Sequence, residues 1–230
     1  MREMDTLPHY HVVRVPPEWS TGDDPFAWDW TQMPAIMPFV LADGSGPATQ
    51  QTMARLGYDS DCLYVRFDCE DCDIWGTYRE RDEPIYNEEV VELFISPGAE
   101  TPVAYFEFEI SPNGVFFDAR IGNPHEDRAT LRVDLAWNAD ARWWARREDA
   151  AGRWTAILAL PWRCLTSEPL PLVWRANLFR IERPRDGEPE FSCWSPTFTT
   201  PADFHKPSRF GCLMLAEECR ERIRNAAIEE

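Results

Sequence analysis

The chain has 230 residues and a formal net charge of −17. Such a surface repels phosphate backbones and anionic bilayers, which excludes nucleic-acid binding and membrane-surface attachment as expected functions. Hydrophobic residues make up 44% and aromatic residues 13%, including 11 Trp, enough for a sizeable core and unlike a disordered chain.

No Gly/Ser tract, long charge block or internal repeat divides the chain, so residues 1–230 read as a single domain. The first segment, "MREMDTLPHYHVVRV", lacks the apolar core of a signal peptide. The longest apolar run, "WTAILALPW", falls short of the roughly 20 residues of a spanning helix. These features predict a cytoplasmic protein by default. "YHVVRV" reads as a strand pairing with a sheet edge.

In "CLYVRFDCE", Leu63, Val65 and Phe67 alternate with Tyr64, Arg66 and Asp68, the period of a half-buried strand. "DCEDCD" follows, with Asp68, Glu70, Asp71 and Asp73 close enough in sequence to suggest an acidic Ca²⁺ loop, although no EF-hand pattern is present. A solvated loop is the alternative. Cys69 and Cys72 form C-x-x-C, but no second pair completes a zinc site, and the odd count of seven Cys predicts reduced thiols. In "TYRERDEP", Arg81 and Asp82 read as a loop-fixing pair reaching toward a cleft.

"EPIYNEEVVELFIS" places Tyr86 just before a strand in which Val91, Leu93 and Ile95 oppose Val90, Glu92 and Phe94. Glu92 either faces water, as acids in antiparallel strands usually do, or looks into a site walled by Tyr86. "VAYFEFEI" carries Glu107 and Glu109 on one face, and the turn "SPNG" leads into "VFFDAR", which predicts a hairpin. "RWWARRE" and "RWTAILAL" flank the turn "DAAG". "VWRANLFRIER", a short strand near residues 191–194 and "RFGCLMLA" complete about ten strands. The predicted fold is all-β: an antiparallel, jelly-roll-like β-sandwich of two sheets. Residues 217–230 predict a helical tail, with Cys219, Ile223 and Ala227 on one face.

Several of these segments, in this order, resemble the family 9 carbohydrate-binding modules: "LYVRFDCED", "DEPIYNEEVVELFISPG", "YFEFEISPNGVFFDARIG", "GRWTAILALPW", "NLFRIER" and "WSPTFTTPADFHKPSRFG". The resemblance implies a β-sandwich that holds a sugar between two aromatic rings, with polar side chains around it and structural calcium in some members. By position Tyr86 corresponds to one ring and Phe204 to the other, with His205 as the alternative if the register shifts by one. Glu92 corresponds to an acid that hydrogen-bonds the sugar. The family's rings are tryptophans, and Glu107 and Glu109 stand where the characterised modules carry Arg and Asn. The expected partner is a mono- or oligosaccharide, with no required cofactor and Ca²⁺ as a candidate.

The physical chemistry agrees with that site. A sugar's C–H face packs on an aromatic ring, and its hydroxyls bond carboxylates. Two further readings remain open. Glu107 and Glu109 lie roughly 6.5–7 Å apart by strand rise, compatible with a glycosidase's acid pair. Met53, Met214 and His205 are candidate axial ligands for a haem-binding domain of the DOMON type.

Overall fold

Alternation of apolar and polar residues organises most of the chain into strands in a computed structural model, which describes residues 7–16, 19, 24–167 and 169–216. The expected tail helix over 217–230 lies outside the described residues. The strands are β1 (His9–Arg14), β2 (Val40–Leu41), β3 (Thr52–Tyr58), β4 (Cys62–Glu70), β5 (Val90–Pro97), β6 (Ala104–Ile110) and β7 (Phe116–Gly122). They continue with β8 (Arg132–Asp134), β9 (Arg142–Glu148), β10 (Arg153–Pro161), β11 (Val173–Glu182), β12 (Glu190–Cys193) and β13 (Gly211–Leu215). One short helix, α1 (Trp162–Leu165), follows β10.

The expected pair of sheets is joined into one continuous, curled sheet in the order β8-β7-β6-β5-β11-β13-β1-β3-β4-β10-β9, with β12 and β2 attached beside β11. The joint is β1. Rather than capping an edge, it runs parallel to β13 through His9–Val12 and then parallel to β3 through Val13–Arg14. Gly57 permits that close approach: a Cβ there would come within 2.4 Å of Val15 Cγ1. The predicted hairpin forms, with Ile110 opposite Phe116 and Gly114 at φ +79 closing the turn.

The curl follows from burial. Val91, Leu93 and Ile95 on β5 meet Leu63, Val65 and Phe67 on β4 in the main core, and each such side chain contributes roughly 1.5–3 kcal/mol when fully buried. The outer face of the β5–β7–β11 half is also covered. Phe94, Tyr105, Phe117 and Phe179 form a second apolar cluster with Phe204 and Phe210 from the loop after β12. On the other half, Trp19 and Trp30 cover Tyr64 and Ile157. Strands β5 and β11 are therefore buried on both faces, so an acid placed on either face leaves bulk water.

The six described cysteines are free thiols, and Cys69 is buried while Cys72 is exposed. The C-x-x-C residues thus point to different environments.

Candidate functional site

Strand register brings three glutamates together on that covered outer face. Glu92 on β5 lies directly opposite Glu109 on β6, and Glu107 lies opposite Phe94. Their exposures are 3%, 0% and 7% for Glu92, Glu109 and Glu107, and one oxygen from each lies within 4.8 Å of the others. Facing like charges on adjacent strands oppose folding, so this arrangement is costly unless something else occupies the space. No amide, hydroxyl or basic group donates to either oxygen of Glu109. Among the described residues, no Lys, Arg or His forms an ion pair with any of the three. Arg128 lowers the pKa of Glu92 and Glu107 from nearby, but its guanidinium is bound to Asp203 at 2.9 Å.

Burial is the first cause that raises all three carboxyls. Glu107 is pushed up to about 7. Glu92 and Glu109 stand well above the usual carboxylate range, with repulsion from their neighbours adding to burial.

These glutamates floor a hollow of 610 Å³, within the usual range of small-molecule sites. Tyr86 stands at its wall, 42% exposed, edge-on to Phe117 with centroids 5.7 Å apart. The turn Ile85–Asn87 presents it, anchored by fully buried Ile85 and by Glu88, which accepts from the Thr77 amide at 2.7 Å. Phe204 lines the same hollow but is only 6% exposed, because it stacks on Phe179 with centroids 4.2 Å apart. His205 also lines it, its Nδ1 2.7 Å from the Tyr105 hydroxyl. Burial, reinforced by Arg128, pushes the imidazole down to about 4, so it is neutral at neutral pH. The loop is tied by Asn123 Nδ2 donating to His205 O at 3.0 Å and by the Lys206–Asp203 ion pair.

Of the sequence-predicted site residues, Tyr86, Glu92, Glu107, Glu109, Phe204 and His205 line this hollow. Arg81 does not. It donates to Asp118 at 2.6 Å and lies over the Phe116 and Trp143 rings, while Asp82 is 3.6 Å away. Phe116 belongs to the main core, on the opposite face of β7 from Phe117.

The acidic segment after β4 also departs from expectation. Asp68 pairs with Arg66, Asp73 pairs with Arg185, Glu70 is exposed and Asp71 is buried. Alternating strand direction and separate arginine partners send the four carboxylates to different surroundings. Asp71 instead joins Glu89 and Glu182, again within 4.8 Å of one another. That group surrounds the fully buried Arg180, which contacts Asp71 at 3.2 Å and Glu182. Trp154 Nε1 donates to Asp71 at 3.1 Å. Glu89 accepts no hydrogen bond, and burial above all pushes it up to about 10. By spacing alone either group of three could gather around a cation; here the second already gathers around a guanidinium.

Arg128, Leu131, Val133 and Leu135 were not anticipated, yet they line the hollow from the segment around β8. The period-two pattern Leu131, Val133, Leu135 was the available signal, and Val133 and Leu135 remain 47% and 54% exposed. A second hollow, of 530 Å³, lies near Trp28, Trp30 and Met53 on the other half. Its charged side chains pair among themselves, Arg66 with Asp68 and Arg153 with Glu148.

Comparison with known proteins adds an independent line. The profile of a family described as "Carbohydrate-binding family 9" matches residues 45–215. An "Extracellular protein" of Arthroderma benhamiae is 30% identical over 171 residues, covering 70% of this chain and 76% of its own length. Two solved structures share the fold, both of a family 9 carbohydrate-binding module from Caldicellulosiruptor kristjanssonii. The complex with cellotriose matches with TM-score 0.66 at 12% identity, over 93% of this chain and 96% of that chain. The complex with glucose matches with TM-score 0.63 at 12% identity, over 93% and 98%.

Proposed function

This chain belongs to carbohydrate-binding family 9, and on that premise we propose that it holds a mono- or oligosaccharide over the floor formed by Glu92, Glu107 and Glu109, with Tyr86 and Phe204 as aromatic walls. The observation that carries the reading is convergence: rings and acids from positions 86 to 205 line one hollow of ligand size. Tyr86 offers an exposed ring face for the C–H side of a pyranose. The carboxylates offer acceptors for hydroxyl groups, and such charge-assisted bonds are the stronger kind. The family's complexes with glucose and cellotriose support a saccharide as the ligand class.

Hydrolysis gains no specific support, because spacing alone does not assign separate acid and nucleophile roles here. A glycosidase sets its two acids on either side of the scissile bond, about 5–5.5 Å apart for retention and about 6.5–9.5 Å for inversion. Here three acids share one floor with oxygens within 4.8 Å. A haem reading gains no support either, because Met53 lines the second hollow and His205 lines the first.

Calorimetric titration with a panel of mono- and oligosaccharides tests the proposal. Saturable heat that Tyr86→Ala removes is the expected result. A panel without heat, or heat that Tyr86→Ala leaves unchanged, contradicts it.

A further inference from the structure

The floor of the hollow gathers three buried carboxyl groups with no protein cation in ion-pair contact, and we infer that the ligand is an amino sugar, a saccharide whose ring carries a protonated primary amine. The inference rests on the saccharide reading above and narrows it to a cationic class.

Three observations support it. Glu92 and Glu109 face each other directly across β5 and β6, an arrangement that opposes folding unless the pair holds protons or a positive charge lies between them. Glu109 is completely buried and lines the hollow, yet no amide, hydroxyl or basic group donates to its oxygens, and the group within hydrogen-bonding reach is another acid, Glu107. The cation with electrostatic reach, Arg128, is held by Asp203.

The geometry selects the kind of cation. An ammonium group has three N–H donors. Oxygens no more than 4.8 Å apart share a point within about 2.8 Å of each, the length of a charge-assisted N–H···O bond. One nitrogen therefore satisfies all three glutamates. Calcium needs six to eight oxygens, whereas the walls around this floor are chiefly rings and aliphatic side chains: Phe94, Phe117, Phe204, Leu131 and Ile181. Those walls suit a sugar's C–H face and stack favourably beside a cation.

The other ionisable groups around the floor are Tyr86, Tyr105, Arg128, Arg183, Asp203 and His205. His205 is uncharged at neutral pH, so it does not repel the amine. In the free protein, burial and mutual repulsion favour protons on Glu92 and Glu109. Docking of an ammonium ion expels them.

The test is calorimetric titration of the full chain with glucosamine and its β-1,4-linked dimer, with the N-acetylated equivalents, with glucose and cellotriose, and with calcium chloride alone. The amines are expected to bind at least about tenfold more tightly than the neutral sugars, with a heat that varies with buffer ionisation as protons leave. Glu109→Gln is expected to weaken amine binding by about thirtyfold or more, and Glu92→Gln serves as a second variant. Melting curves establish that both variants fold. Neutral sugars binding as tightly as the amines would overturn this inference and leave saccharide binding standing. Absence of binding by every sugar would overturn the saccharide reading itself. Calcium that binds and is lost in Glu109→Gln would replace the amine with a metal ion.

Discussion

Two groups of three buried acids flank β5, and they differ in one neighbour. Asp71, Glu89 and Glu182 surround the guanidinium of Arg180. They join the end of β4, the start of β5 and the end of β11, where Trp154 adds a further donor. Glu92, Glu107 and Glu109 have the same burial and spacing, without a guanidinium among them. The first group holds its compensating charge inside the chain and acts as structure. The second presents its charge to a hollow walled by aromatic rings. What sets the proposed site apart is thus a deficit of opposite charge beside an open volume, not the presence of acids.

The largest expected effect breaks the first group. Arg180→Met leaves three acids buried without a counterion and is expected to cost about 3–5 kcal/mol, read as a lowered urea midpoint or failure to fold. A small loss would mean that the acids relax into water. Arg81→Ala comes next, at about 1–3 kcal/mol of stability, because it strips Asp118 of a 2.6 Å donor in a fully buried position. Saccharide affinity should not change, which separates this arginine from the hollow. Tyr86→Ala is expected to reverse that pattern. Affinity falls about tenfold, while stability shifts within about 0.5 kcal/mol, because the ring is already 42% exposed.

The smallest effect sharpens the comparison through pH. Glu107 and Glu182 each rise to about 7, and Glu89 to about 10. A glutamate raised in the folded state keeps a proton that the unfolded chain releases. Its stability is fully present below the unfolded value and declines as pH climbs toward the folded one. Stability should therefore decline from about pH 4.5, through about 7 for Glu107 and Glu182 and on to about 10 for Glu89. His205, pushed down to about 4, works in the opposite sense between about 4 and 6.5. Glu107→Gln should flatten the part of that decline below about pH 7, measured as unfolding free energy at a series of pH values. An unchanged slope would place this carboxyl in water.

Much of this was legible in the sequence where local rules act. Period-two runs located the long strands, and the turn Ser111–Gly114 located the hairpin between β6 and β7. Strand β3 was missed because Thr52, Ala54 and Gly57 give it little apolar contrast, and β8 because its alternating side chains face a ligand-sized hollow instead of a core. The role of β1 could not be read, since a strand that changes partners midway has no local signature. Family resemblance and strand facing group Tyr86, Glu92, Phe204 and His205, and these four line one hollow. Arg81 was misplaced because loop direction depends on Asp118, a buried partner 37 positions away. The acidic loop misled for a similar reason: sequence proximity says nothing about the arginines, Arg180 and Arg185, that draw its members apart.

The most direct measurement is a crystal structure of the chain soaked with the tightest-binding saccharide of the panel. Electron density over Glu92, Glu107 and Glu109, bounded by Tyr86 and Phe204, is the predicted result. Density in the hollow beside Trp28 and Trp30, with the glutamate floor empty, would contradict the account.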